Sequence, residues 1–298
     1  MAKCLVNAKN NQAMRERQAL FLIVLSSIVW STSFPAVKVG LEQIPPGAFI
    51  FLRFFTGTIF YLIFMRITRV KFNKAILKEK LAYLLGLLTF FSYLFQYVGQ
   101  KFTLASRTAL IINLFVLWVP ILAVLFLKEK LPRRYGLSLA FLLPGMLLLS
   151  AGKNPQEILR PEITKGDFIV LLASICWALY TIISKNLLNR YSAHEVNLVT
   201  FGITAALSIP FALYSKTPFN VNLQSSLLLL HLSLGCTVIA YYLYVTGLKY
   251  APATKSTLFV SLEVLFSFLI ALIFLGERWA PLELLGGALM LVAVAFAA

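Results

Sequence analysis

The sequence predicts an all-α integral membrane protein, in which ten transmembrane helices form two inverted five-helix repeats around a central cavity. Three observations support this fold class. Hydrophobic residues make up 60% of the 298 residues, which is more than a soluble core of this length can bury. The apolar residues form ten runs, and most runs have the roughly 17–25 residues that a helix needs to cross a bilayer. The two halves of the chain also repeat each other.

The ten predicted spans follow one another with short polar connections between them. In chain order they are Gln18–Val39, Gly47–Met65, Leu81–Gln100, Ala105–Leu127, Tyr135–Ala151, Phe168–Leu188, Val196–Tyr214, Ser225–Leu248, Ala253–Leu275 and Pro281–Ala297. The runs do not alternate with a period of two and are about twice as long as a strand of a membrane barrel, so they favour helices. No connection is long enough for a soluble domain, and any chemistry must therefore lie among the helices.

The internal repeat relates two stretches that lie 148 residues apart: Tyr97–Phe102 (Tyr-Val-Gly-Gln-Lys-Phe) recurs as Val245–Tyr250 (Val-Thr-Gly-Leu-Lys-Tyr). Almost the same spacing pairs Tyr93 with Tyr241, Glu129 with Glu277, Trp30 with Trp177, and Lys38 with Lys185. Each repeat holds five spans, and because five is odd, the second repeat must enter the bilayer from the opposite side. Inverted repeats of this kind are found in many secondary transporters.

The positive charges predict the orientation in the bilayer. With the N-terminus in the cytoplasm, 18 of the 27 Lys and Arg residues lie on the cytoplasmic side, 8 lie on the outer side, and Arg53 lies inside a span. This bias follows the positive-inside rule, so membrane topology explains the net charge of +16, and no nucleic-acid partner is predicted. We expect a multi-pass protein of the cytoplasmic (inner) membrane of a prokaryote with both termini in the cytoplasm. The chain then divides into a cytoplasmic segment (1–17), a first repeat (18–151), an outer connecting loop (152–167) and a second repeat (168–298), which together form one membrane domain.

The sequence predicts no cofactor and no metal site. The three cysteines, Cys4, Cys176 and Cys236, belong to no disulfide or metal-binding pattern. The spans lack a His cluster, a pair of carboxylates and a nucleophile motif, and the chain lacks a Walker motif. We therefore expect neither an enzyme nor ATP-driven transport.

Polar side chains in the spans predict which helices face a wet centre. The first, third, fourth, sixth, eighth and ninth spans carry polar residues at the spacing of one helix face, whereas the other four spans are mostly aliphatic. A single Ser or Thr in a membrane helix often bonds only to a backbone carbonyl, but stripes at related positions of both repeats favour a cavity. The candidate pathway residues are Trp30, Lys38, Tyr93, Gln96, Tyr97, Asn113, Trp118, Trp177, Tyr180, Thr181, Lys185, Thr237, Tyr241, Tyr244 and Glu263.

Arg53 and Glu263 lie well inside spans, where an ionised side chain costs roughly 2.5–3.5 kcal/mol on insertion scales. Glu263 must be neutral, paired or exposed to water. Its possible roles are coupling to protons, recognition of a substrate ammonium group and a structural contact. Arg53 has either a structural role or a contact with the ligand. Lys38 and Lys185 end their spans and are either interfacial anchors or gate residues.

Three prolines, Pro35, Pro120 and Pro144, are expected to interrupt their spans, because proline leaves a backbone carbonyl without its helical partner. Pro120 frees such a carbonyl near the membrane centre, where another group must satisfy it. Bent helices of this kind fit an alternating-access mechanism.

Four short motifs occur in the order and repeat spacing of a known family: Ile28–Phe34 and Phe51–Phe54 in the first two spans, Leu248–Ala253 after the eighth, and Phe274–Arg278 at the end of the ninth. Over essentially all of Gln18–Ala297, the chain resembles the EamA type of the drug/metabolite transporter superfamily. The resemblance implies two inverted five-helix repeats, cytoplasmic termini and a cavity lined by the first, third, fourth, sixth, eighth and ninth spans. It also implies transport of small metabolites, commonly of amino acids or related compounds outward.

One position departs from the pattern of that family. The residue after the ninth-span glutamate is often proline in the family, and here Val264 follows Glu263. The first half has Pro120 without a matching acid, which is a variant also seen in the family.

The leading interpretation is a secondary transporter that exports or exchanges small metabolites, amino acids or related amphipathic solutes, by alternating access. The aromatic residues among the candidates favour a solute with an apolar group over sugars or phosphates. The alternatives are an exchanger of anionic or phosphorylated metabolites, a membrane scaffold or channel, and a membrane-embedded enzyme. The expected partners are a small-molecule substrate and the lipid bilayer, with protons or a counter-substrate for a coupled carrier, and a monomer is compatible with the sequence.

Overall fold

The structure is a computed structural model that describes residues 2–131, 133–151, 161–214, 222–275 and 280–297, with the backbone alone at 2–14, 106, 150–151, 161–164 and 271–275. Across these residues the chain is helical and forms no strand, which confirms the predicted all-α fold class. Much of the predicted connecting loop (152–167), and Glu277 of the repeat, lie outside the described residues.

The helices occupy the predicted spans in order. They are α1 (Ala2–Ser31, continuing as Ser33–Gln43), α2 (Pro46–Ile67), α3 (Lys80–Gln100), α4 (Ala105–Ile112, Phe115–Leu122 and the π-helical turn Ala123–Leu127), α5 (Tyr135–Ala151), α6 (Pro161–Leu187), α7 (Ala193–Leu213), α8 (Leu223–Leu230, the π-helical His231–Ile239 and Ala240–Tyr250), α9 (Ala253–Val260 and Leu262–Leu275) and α10 (Pro281–Ala297). Within the described residues, α1–α4 and α6–α9 are long and apolar enough to cross a membrane, and α5 and α10 are shorter apolar helices. In the segment 1–17, which is predicted to lie in the cytoplasm, the chain is already helical from Ala2 and continues into the first span as one helix.

The helices pack as an inverted repeat requires. α1 packs on α8 and α9 of the second repeat, and α6 packs on α3 and α4 of the first by the same two-fold relation. α2 packs on α7, and α5 packs on α10, so each of these four helices has its repeat equivalent as a neighbour. We call the end of the bundle at which α1 begins the proximal end and the opposite end the distal end. α6 begins at the distal end, because five spans separate its start from the start of α1.

Two glycines at equivalent positions of the repeats bring the crossing helices close together. A Cβ atom built on Gly247 of α8 would lie 2.6 Å from the carbonyl oxygen of Ala19 and 2.7 Å from the side chain of Ile23 in α1. A Cβ atom built on Gly99 of α3 would lie 2.7 Å from the side chain of Val170 in α6. The two contacts are related by the repeat, since Val170 stands 147 residues after Ile23.

Replacing Gly247 with Ala is therefore expected to lower the free energy of unfolding by about 1–3 kcal/mol, because the backbone of α1 must move to admit the methyl group. The measurement is the melting temperature and urea midpoint of the purified protein. Gly202→Ala in α7 is the matched control, because a Cβ atom at Gly202 would meet no atom within 4 Å. This control should be neutral, or stabilising by up to about 1 kcal/mol. Equal destabilisation by both variants would contradict the close contact at Gly247.

α4 and α9, which occupy equivalent places in the two repeats, are both interrupted near the centre of the bundle. α4 breaks at Asn113 and Leu114, and α9 breaks at Ser261, which stands 148 residues after Asn113. The break in α9 needs no proline, although Val264 stands where the family that the chain resembles often has one. Residues on either side of both breaks line the central cavity.

The prolines act only partly as predicted. α1 breaks three residues before Pro35, whereas α5 continues through Pro144 as one helix, so the expectation for Pro144 is wrong. Pro120 lies within a helical segment of α4 and leaves the carbonyl of Val116 without its helical donor. The hydroxyl of Tyr135 in α5 donates to that carbonyl oxygen over 2.9 Å. The freed group is thus satisfied inside the bundle, as a bilayer core requires.

Candidate functional site

A cavity lies at the centre of the bundle, where the broken helices meet. The described residues that line it come from α1, α3, α4, α6 and α9, and they are Trp30, Ser33, Phe34, Ser92, Tyr93, Gln96, Ile112, Phe115, Trp177, Val260 and Glu263. The space that the centre of a water molecule can reach inside it is about 40 Å³. Since one water needs roughly 10–15 Å³ in this measure, the cavity holds a few waters and must widen to admit a metabolite.

The cavity walls are assembled from equivalent positions of the two repeats. The pairs that the repeat spacing relates are Trp30 with Trp177, Ile112 with Val260, and Phe115 with Glu263. The rings of Trp30 and Trp177 meet edge to face, with their centroids 5.4 Å apart. Glu263 stands where the first repeat has an aromatic residue, so it makes the cavity chemically asymmetric.

Glu263 is the only Asp, Glu, Lys, Arg or His among the described residues that line the cavity. It is 6% exposed, and its Oε1 accepts a hydrogen bond from Nδ2 of Asn113 over 2.5 Å. The same Nδ2 donates to the carbonyl oxygen of Ala109, so both amide hydrogens of Asn113 are used. Oδ1 of Asn113 is buried and accepts no hydrogen bond within the described part of the chain. The carboxyl group of Glu263 therefore lies beside a buried amide oxygen that has no donor within these residues.

Five of the ten other described lining residues are aromatic, and further aromatic rings form a second layer behind them. Tyr180 stacks on Trp177 with the ring centroids 4.7 Å apart. Tyr241 and Tyr244 of α8 each have their ring centroid 5.2 Å from that of Trp30. α8 thus supports the wall from behind and contributes no described residue to the lining, in contrast to the predicted lining by six helices.

Arg53 of α2 is 1% exposed and lies behind Tyr93. Its Nε donates to Oγ1 of Thr237 over 2.9 Å, and its Nη1 donates to the hydroxyl oxygen of Tyr97 over 2.8 Å. Its Cζ lies 4.8 Å from the centre of the Tyr93 ring. Among the described ion pairs none includes Arg53. The contacts of Arg53 join α2 to α3 and α8. Arg53 does not line the cavity, but it contacts Tyr93, which does.

Lys38 and Lys185 turn back onto the ends of neighbouring helices. Nζ of Lys38 donates to the carbonyl oxygens of Gln100, the last residue of α3, and of Thr103 just beyond it, over 2.8 Å each. Nζ of Lys185 donates to three carbonyl oxygens between residues 248 and 251, at the end of α8. A cation is favourable at a helix C-terminus, where carbonyl oxygens lack helical partners. The two lysines occupy equivalent positions at the distal and proximal ends.

An ion pair joins helices at each end of the bundle. At the distal end, Arg107 at the start of α4 pairs with Asp167 of α6, which also accepts a hydrogen bond from Thr103 over 2.8 Å. At the proximal end, Lys255 at the start of α9 pairs with Glu16 of α1 over 2.9 Å. Lys255 stands 148 residues after Arg107, so the two pairs are related by the repeat.

The structure brings most of the candidate pathway residues together. Those that line the cavity are Trp30, Tyr93, Gln96, Trp177 and Glu263. Those in contact with this lining or with the side chains behind it are Tyr97, Asn113, Tyr180, Thr181, Thr237, Tyr241 and Tyr244. The other three candidates belong to neither group: Lys38 and Lys185 lie at the two ends, and Trp118 is half-buried in α4.

Six lining residues were not among the candidates: Ser33, Phe34, Ser92, Ile112, Phe115 and Val260. Helical spacing could have found Ser33, Phe34 and Ser92, because they stand three or four residues from Trp30 or Gln96. The repeat spacing could have found Phe115, since it is the equivalent of Glu263. Ile112, Phe115 and Val260 were missed because the candidates were selected mainly from polar and aromatic side chains at polar helix faces.

Comparison with known proteins finds relatives along the whole chain. The EamA-like transporter family matches twice, over residues 17–151 and 164–298. An uncharacterized transporter of Archaeoglobus fulgidus is 26% identical over 92% of this chain and 94% of its own. The uncharacterized transporter YdfC of Bacillus subtilis is 25% identical over 95% of this chain and 92% of its own. A probable amino-acid metabolite efflux pump of Salmonella typhimurium is 25% identical over 91% of each chain.

A protein of known crystal structure has the same fold. It superposes with a TM-score of 0.80 and covers 94% of this chain and 96% of its own. The two sequences are 18% identical, so this likeness concerns the fold alone.

Proposed function

The chain belongs to the EamA-like transporter family, and we propose that it is a secondary transporter that exports or exchanges small amphipathic metabolites, amino acids or related solutes, by alternating access. The observation that carries the proposal is the central cavity, whose wall contains five aromatic rings and the carboxyl group of Glu263. Such a wall fits a solute with an apolar body and a polar head. The name of the Salmonella typhimurium relative supports this solute class and the outward direction.

Alternating access requires each end of the bundle to open in turn. The ion pairs Arg107–Asp167 and Lys255–Glu16 join helices at opposite ends, and the cavity between them holds only a few waters. We infer that one pair separates while the other holds. The breaks in α4 and α9 lie between these pairs and the later segments of the same helices, so the two ends can move relative to those segments.

The alternative of an anion exchanger has less support. It would use Lys38, Lys185 or Arg53 to bind a carboxylate or phosphate, but none of the three lines the cavity. Their hydrogen-bond donors already contact backbone carbonyls or hydroxyl groups. The alternative of a membrane-embedded enzyme also has less support, because the relatives are named as transporters.

Counterflow in proteoliposomes tests the proposal. Vesicles that are preloaded with an unlabelled amphipathic solute are expected to take up the labelled solute transiently above its equilibrium level, because a carrier exchanges solutes through one site. A channel or scaffold produces no such overshoot. If amines, amino acids, sugars and phosphorylated solutes all fail to produce it, the transport proposal is wrong. Overshoot with sugars or phosphates alone would reject the proposed solute class.

We further propose that the proximal end faces the cytoplasm of a prokaryotic cell and that both termini lie there. The exposed basic residues of the connection between α2 and α3 support this orientation, and they are Arg66, Arg69, Lys71, Lys74, Lys78 and Lys80. An anionic inner leaflet attracts such a cluster.

Single cysteines in a variant that lacks the native ones test the orientation. Asn73→Cys places a thiol on the proximal connection, and Lys101→Cys places one at the distal end of α3; both positions are exposed. A membrane-impermeant thiol reagent added to intact cells is expected to label position 101 and to leave position 73 unlabelled until the cells are broken. The reverse pattern would invert the topology.

A further inference from the structure

We propose that the cavity selects organic monocations, meaning amines with an apolar body and no carboxylate, over zwitterionic amino acids and over anions. The inference narrows the solute class of the proposed transport function and rests on that function. Its basis is which charged groups of the described residues reach the cavity.

Glu263 gives the cavity a negative charge when its carboxyl group is ionised, and no cationic side chain among the described residues lines the cavity beside it. Glu263 is the single acidic or basic residue among the described lining residues. The three cations that could have received a carboxylate are held elsewhere: Lys38 and Lys185 by carbonyl oxygens at the two ends, and Arg53 by Thr237 and Tyr97. A carboxylate that entered the cavity would therefore be buried without a cation, which is strongly unfavourable.

Two hydrogen-bond donors of the wall and the side-chain amide beside Glu263 already have acceptors. Nε1 of Trp30 and Oγ of Ser92 donate to backbone carbonyls, over 2.8 Å and 3.1 Å. Both amide hydrogens of Asn113 are taken, one of them by Glu263, whereas its Oδ1 is buried without a donor in the described part of the chain. An ammonium group has three donors and no acceptor. It matches the ionised carboxyl group of Glu263, which offers acceptor oxygens and no donor.

The rest of the wall suits the apolar body and the charge of an amine. Trp30, Tyr93 and Trp177 present aromatic rings, which attract a cation electrostatically when it lies over the ring face. Because Phe115 is the repeat equivalent of Glu263, an amine has one preferred direction in the cavity. Its ammonium group lies towards α9, and its apolar body lies towards α4.

Three ligands with the same phenylethyl body test the inference on the wild-type protein. Phenylethylamine carries only an ammonium group, phenylalanine carries an ammonium and a carboxylate group, and 3-phenylpropionate carries only a carboxylate group. Binding is measured by calorimetry and by thermal stabilisation at near-neutral pH. We expect phenylethylamine to bind at least about 10-fold more tightly than phenylalanine, and 3-phenylpropionate to produce no stabilisation. Tryptamine and tryptophan form a second matched pair with a larger ring.

Equal or tighter binding of the amino acid in both pairs, binding of 3-phenylpropionate, or binding of neither amine would overturn the inference. The same ligands are then used in counterflow, which separates this failure from a failure of the transport proposal. If phenylalanine or tryptophan drives counterflow and the amines do not, the transport function stands and the selectivity for cations is wrong. If no solute of any class drives counterflow, the transport function itself is wrong.

Discussion

Replacing Glu263 with Gln is expected to weaken the binding of a cationic substrate by about 100-fold while the protein stays folded. A buried pair between an ammonium group and a carboxylate loses roughly 2–5 kcal/mol when one charge is removed, and a 100-fold loss corresponds to about 2.8 kcal/mol, in the lower part of this range. Gln keeps the size and one acceptor oxygen, so the hydrogen bond from Asn113 can persist. The measurement is the dissociation constant of phenylethylamine together with the melting temperature without ligand. Glu42→Gln, at an exposed position near the distal end of α1, is the control for the loss of one negative charge and should bind like the wild type.

The dependence of binding on pH separates the roles of Glu263. A proton and an ammonium group compete for one carboxyl group, so the affinity of the wild type should fall as the pH falls, and the affinity of Glu263→Gln should not change. The titratable groups within electrostatic reach of Glu263 are Tyr93 of α3 and Cys236 and Tyr244 of α8. These stay uncharged as the pH is lowered from neutral, so they do not contribute to the fall.

Transport assays with Glu263→Gln distinguish proton coupling, substrate recognition and a purely structural role of Glu263. Loss of uptake driven by a pH gradient with surviving exchange would mean that Glu263 couples transport to protons. Loss of both binding and exchange would mean that it recognises the substrate. Unchanged binding and unchanged transport under both conditions would leave Glu263 with a structural role only and would refute both functional roles.

Much of the fold could be predicted from the sequence because its causes are local or periodic. A run of about 20 apolar residues predicts a membrane helix without knowledge of its neighbours. The spacing of 148 residues that relates Gly99 to Gly247 also relates the helix contacts these glycines make, because equivalent sequences fold into equivalent contacts. The position of Trp30 and Trp177 at the centre could be predicted in the same way.

The cavity chemistry could be predicted only in part, because it depends on contacts between distant residues. Asn113 and Glu263 are not equivalent positions of the repeat, since Asn113 corresponds to Ser261. Their hydrogen bond exists because the two broken helices face each other at the centre. A lysine at the end of a span can extend to the interface or turn back onto a helix end, and the sequence of Lys38 alone does not decide between the two. The carbonyl oxygens of Gln100 and Thr103 decide it.

Arg53→Lys is expected to lower the free energy of unfolding by about 3 kcal/mol, which is more than the loss caused by Arg53→Met. The guanidinium group donates in two directions, to Thr237 and to Tyr97, from a fully buried position. A lysine has one ammonium group at the end of a shorter reach, so it cannot make both contacts and leaves a buried charge poorly solvated. Methionine removes the charge and fills much of the same space. Its cost is the loss of two hydrogen bonds, about 1–2 kcal/mol.

The order of the two variants decides what Arg53 does. If Arg53 holds α2, α3 and the π-helical part of α8 in place behind Tyr93, stability should fall further in Arg53→Lys, and the affinity of Arg53→Met for phenylethylamine should stay within a few-fold of the wild type. If Arg53 instead binds a substrate carboxylate with its charge, Arg53→Lys should retain binding and Arg53→Met should lose it. Melting curves and dissociation constants for both variants, with the exposed Arg66→Lys as control, distinguish these patterns. The second pattern would favour zwitterionic or anionic substrates, because the charge of Arg53 would then reach past Tyr93 into the cavity.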